Sequence, residues 1–86
     1  MPEDIINDIL EKAEKAKTAV ELVVLAGDIM EHIRSDASKF DDKDNKAAGQ
    51  RVRKYSQVLI KISKILRRKI SERKNQIDQS SKSKKN

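Results

Sequence analysis

The chain has 86 residues, 36% apolar and 40% charged, with one Tyr, one Phe, one Pro, two Gly and neither Trp nor Cys. That length allows one domain, the lack of Cys excludes a disulfide framework, a thiolate metal site and a thiol nucleophile, and so small an apolar supply suits a helical seam better than a sheet. The formal charge of +6 hides a segregation: residues 1–42 carry five Lys/Arg against eleven Asp/Glu, a net of −6, while residues 43–86 carry fifteen against three, a net of +12.

Three helices are expected, over about 3–17, 19–38 and 43–77, giving an all-α fold in one domain spanning residues 1–78. The first opens at Pro2, with Glu3 and Asp4 complementing the positive end of the helix dipole, and carries Ile6, Ile9, Ala13, Ala16 and Val20 at spacings of three and four. The acidic start "MPEDIIND" is unlike a signal or transit peptide, and no apolar run is long enough to span a bilayer. A soluble, cytoplasmic location is the expectation. In "TAVE", Thr18 with Glu21 forms a capping-box match, so a break is placed near Lys17–Thr18; one continuous helix is the alternative. The second helix then carries Leu22, Ala26, Ile29, Ile33 and Phe40.

The third helix has the clearest pattern, a heptad seam of Ala48, Val52, Tyr55, Leu59, Ile62 and Leu66. The turn "DDKDNK", with Asp42 or Asp44 as cap, makes it antiparallel to the second helix. The expected register sets Phe40 against Ala48, Ile33 against Tyr55, Ile29 against Leu59, Ala26 against Ile62 and Leu22 against Leu66. Val58 and Ile65 on one flank, and Val23 and Met30 beside the other seam, also need cover. The first helix supplies it in a three-helix bundle, or a second chain does in a homodimer. After Ile77 the apolar period stops, and residues 79–86 read as a disordered basic tail.

With Ala48 at heptad position d, Arg53, Arg67 and Lys74 fall at b, Lys54, Lys61 and Arg68 at c, and Gln50, Gln57 and Lys64 at f, all away from the seam. From Arg53 to Lys74 the stripe spans about 30 Å, a length over which duplex DNA offers many phosphates. Between Lys46 and Lys74 the one acid is Glu72. A helix that is merely soluble mixes signs to gain i,i+4 pairs, so one sign points to a polyanionic partner.

The stretch "NKAAGQRVRK", Asn45 to Lys54, followed by an amphipathic run with Lys or Arg at every turn, resembles the core of the chlamydial linker-histone-like nucleoid proteins and their short relatives. The resemblance is specific over roughly Asn45 to Lys69. It implies a helical hairpin that binds double-stranded DNA with little sequence preference and organises the nucleoid. By position it assigns the basic motif to Lys46, Arg51, Arg53 and Lys54. Lys61, Lys64, Arg67, Arg68 and Lys74 match it in character. Two features depart from that family: a short tail around Lys82, Lys84 and Lys85, and an acidic first helix.

Tyr55 on the seam and Phe40 facing it leave no aromatic free to stack on bases, so phosphates are the expected contact. Neither catalysis nor a cofactor is expected. His32 with Asp28 and Asp36 reads as a solvated trio rather than a metal site, "DDKDN" breaks the calcium-loop spacing at Lys46, and there is no phosphate-binding Gly-rich loop. Gly49, inside the third helix, reads as a point of close approach to Ile33 or Asp36 across the hairpin, with close approach to a phosphate as the functional alternative. The rival to DNA binding is a protein-interaction module, self-associating or docking on an acidic partner. Attachment to an anionic membrane is weakened because the apolar side is committed to the seam.

Overall fold

The computed structural model describes residues 2–85, with side chains over residues 3–80. The protein is all-α: α1 spans Pro2–Lys15, α2 spans Ala19–Lys43 and α3 spans Lys46–Lys85. Each boundary has a local cause. Thr18 takes an extended backbone, φ −129° and ψ 156°, and its hydroxyl accepts from the Glu21 amide at 3.2 Å, capping α2. Glu21 reaches back one residue further than the usual reciprocal pair, accepting from the Lys17 amide at 2.8 Å. Two orphan donors are thereby satisfied, so the break expected at Lys17–Thr18 is present without a Gly or Pro.

At the other end of α2, Asp44 adopts the left-handed conformation, φ 54° and ψ 34°, and the Asn45 amide donates to the Lys39 carbonyl at 3.4 Å. Asp44 therefore closes α2, and the cap of α3 is its neighbour: Asn45 Oδ1 accepts from the Ala48 amide at 3.0 Å. The turn was expected to use Asp42 or Asp44 for that purpose. A residue already spent on the left-handed stop has no extended backbone to offer as an N-cap.

α3 continues past Ile77, and its backbone is helical over residues 79–85, where the lack of an apolar period led to the expectation of a disordered tail. No Gly or Pro follows Gly49, so nothing local stops the helix. Asn86 lies outside the described residues, as do the side chains of Lys82, Lys84 and Lys85.

α2 lies antiparallel along α3. The pairs that fix this run from the turn outward: Phe40 over Gly49, Asp36 with Arg51, and His32 against Tyr55, with ring centroids 5.4 Å apart and planes tilted by 35°. α1 packs against both, burying Ile9, Ala13 and Ala16 in one cluster with Leu22, Leu25, Ile29, Tyr55, Val58, Ile62 and Ile65. Its cover rotates the seam. Val58 and Ile65, read as flank residues, are fully in the core, whereas the expected seam residues Ala26, Ile33, Leu59 and Leu66 are only half-buried. The heptad sets the spacing along α3, but the third helix decides which side of the stripe is deepest.

Candidate nucleic-acid interface

The candidate residues sort into three groups by what surrounds them. Lys46, Arg53, Lys61, Lys64, Arg67 and Lys74 are exposed, and among the described residues none is in an ion pair. They lie on one continuous helix, so their spacing is held by α3's backbone rather than by loops. With 1.5 Å of rise per residue, the row from Arg53 to Lys74 is about 30 Å long.

Lys54 and Arg68 are exposed but have acidic neighbours. Lys54 Nζ is 2.8 Å from Glu3 Oε1 of α1, and that bond is the first cause holding the Glu3 carboxyl below its usual range. Arg68 Nε stands 4.0 Å from Glu72 Oε1 one turn on. Both pairs are solvated and exchange readily for another anion.

Arg51 is of a different kind. It is half-buried, and its Nε and Nη2 donate to the two carboxylate oxygens of Asp36 at 3.1 and 3.0 Å. Asp36 is 7% exposed, and the Arg51 bonds are the first cause of a pKa held below the ordinary carboxylate value. Such a two-pronged pair fixes geometry as well as energy. The expectation of a solvated His32–Asp28–Asp36 trio fails here, because Asp36 is taken by Arg51 and His32 by the Tyr55 ring. Among the described residues no His/Cys/Asp/Glu group has the arrangement to hold a metal ion. The Asp36–Arg51 pair went unread in the sequence. Its signal was a lone acid at a seam-side position of α2, opposite a lone base at the same depth of α3.

Of the two aromatics, Tyr55 is buried as expected, but Phe40 is 47% exposed. Its ring lies over Gly49: a Cβ built on that glycine would sit 2.6 Å from Phe40 Cδ1. Gly49 is thus a point of close approach, to Phe40 rather than to Ile33 or Asp36. Among the described residues no helix is long and apolar enough to cross a membrane.

Fold and site together define a small all-α protein whose longest helix holds exposed cations at fixed intervals. Residues 27–76, covering most of α2 and the first three-quarters of α3, match the family model of the histone H1-like protein Hc1. The chain belongs to that family of histone-like, DNA-binding nucleoid proteins, and α1 lies outside the matched segment. No curated protein and no solved structure matches the chain.

Proposed function

We propose that the protein binds double-stranded DNA with little sequence preference, through phosphates, along the outer side of α3, and so helps organise a nucleoid. The observation that supports this is the coincidence of the family match with the segment in which Arg53, Lys61, Lys64, Arg67 and Lys74 stand exposed and unpaired among the described residues. Cations on a straight helix meet phosphates at a spacing set by the backbone, and phosphate contacts position a protein without reading bases. Lys46 extends the row toward the turn. Lys54 and Arg68 join it by exchanging Glu3 and Glu72 for phosphate, a trade that costs little between solvated groups. Arg51 serves the hairpin instead, since Asp36 occupies its Nε–Nη2 edge.

Phosphate binding of this kind treats sequences alike. In a gel-shift titration at low salt, two duplexes of equal length and unrelated sequence are retarded with equal midpoints. A preference of more than about tenfold for one of them, equivalent to one specific base pair's worth of discrimination, contradicts the proposal. Absence of any shift at low salt contradicts it altogether.

A further inference from the structure

The turn end of the cationic row holds an apolar hollow of about 580 Å³, within the range of roughly 300–1,000 Å³ usual for small-ligand sites. Phe40 and Ala37 of α2, with Gly49 and Val52 of α3, form its walls. Lys46, Gln50 and Arg53 of α3 and Asp41 of α2 stand exposed at its rim, and the charged ones are in no ion pair among the described residues. The hollow has this shape because Gly49 lacks a side chain. A Cβ there would sit 2.6 and 2.8 Å from Phe40 Cδ1 and Cε1, so the ring sinks against α3 while the residue stays 47% exposed. Glycine inside a helix costs stability relative to alanine. At this position the result is an aromatic wall open to solvent beside two unpaired cations.

We propose that this hollow takes an unpaired base of DNA, stacked on Phe40, with the phosphates on either side of that nucleotide held by Lys46 and Arg53. The inference rests on the DNA-binding reading and adds a second mode to it, in which a base is bound as well as the backbone. The chemistry of walls and rim selects the occupant. An aromatic ring stacks on any base, because every base has a π-face. A ring sunk against the neighbouring helix makes a wall for a base already out of the duplex, whereas a wedge that opens a paired step has to project. Lys46 and Arg53 lie seven residues apart on one side of α3, about 10 Å along the axis, so they flank the hollow and match the charge of a backbone entering and leaving it. Gln50, between them, offers a donor and an acceptor, the pair that suits adenine N7 and N6. Asp41 accepts from an amino group on a base edge. A flat ring, a polar edge and flanking negative charge together describe an extruded nucleotide.

Gel-shift titrations of the full chain at low salt test the proposal with three duplexes of one sequence. One is fully paired, one has an extra central adenosine, and one has an extra central nucleotide that lacks its base. The last keeps the bend and the added phosphate of the bulge and removes only what stacks. Wild type is expected to bind the adenosine bulge about fivefold or more tighter than the base-less bulge, the lower end of what one stacked base contributes. Phe40→Leu keeps apolar cover over Gly49 without an aromatic face, and is expected to bind the two bulged duplexes alike with its helical circular dichroism unchanged. Phe40→Tyr keeps the preference. Equal wild-type midpoints for the adenosine and base-less bulges overturn the proposal whether or not any variant folds. A folded Phe40→Leu that retains the preference overturns it too. If the paired duplex is still retarded in those cases, the DNA-binding reading stands; no retardation of any duplex overturns both.

Discussion

Replacing Asp36 by Asn keeps the shape of the side chain and removes its charge, so it isolates what the pair with Arg51 contributes. Asp36 is 7% exposed, and the pair consists of two charge-assisted bonds of 3.0 and 3.1 Å. A bond to a charged group contributes about 1.5–3 kcal/mol, and breaking a fully buried pair costs about 3–5 kcal/mol. Arg51 keeps 30% of its side chain in water and Asn still accepts one bond, so the loss for Asp36→Asn falls near the low end, about 2 kcal/mol. For a domain of this size that lowers the melting temperature by roughly 8–16 °C. Urea titration followed by helical circular dichroism measures it. The pH dependence is a second reading of the same pair. Because the Asp36 pKa is lowered in the folded state, the stabilisation is present above the unfolded value near 4 and is lost as pH falls from there through the folded value. Wild type should therefore lose stability toward acid more steeply than Asp36→Asn. A loss under about 0.5 kcal/mol, with parallel acid profiles, would refute the view that this pair locks the hairpin.

The two glycines separate by their surroundings. A Cβ on Gly27 meets nothing within 4 Å, so Gly27→Ala raises stability by about 0.5–1 kcal/mol. At Gly49 the same change gains less or turns negative, because Phe40 must move, and with Phe40→Ala in place the full gain returns; a double-mutant cycle in urea reads this coupling. Thr18→Ala removes the cap of α2 and lowers stability by about 1 kcal/mol, measured in the same titration. Glu3→Gln leaves the melting temperature nearly unchanged while freeing Lys54, and strengthens DNA binding by about twofold in a low-salt gel shift.

The parts of this fold that could be read from the residues are those governed by local rules. The heptad from Ala48 to Leu66 announced α3, and the Thr18–Glu21 spacing announced the break before α2, because helix periodicity and capping depend on residues three and four apart. The antiparallel course of α2 and α3 followed from the short charged turn. Rotation about each helix axis was not legible. Val58 and Ile65 became core and Leu59 and Leu66 half-covered because α1 settles on one side, a choice made by tertiary contact. Asp36 with Arg51, and Phe40 over Gly49, are likewise encounters between residues on different helices, which a single-helix pattern does not contain. The candidate cations could be listed from heptad positions b, c and f, but which of them were already engaged could not: Arg51 by Asp36 and Lys54 by Glu3 emerged only when the helices were brought together.

The salt dependence of DNA affinity tests the central claim most directly. For wild type, the eight cations of the row replacing condensed counterions give a slope of log K against log salt of roughly −7. Replacing Arg53, Lys54, Lys61 and Arg68 by Gln should reduce that slope to about −3 to −4 and weaken unrelated sequences equally, with the helical signal intact. A wild-type slope near zero, or a four-Gln variant that keeps both the slope and the affinity of wild type, would contradict binding along the outer side of α3.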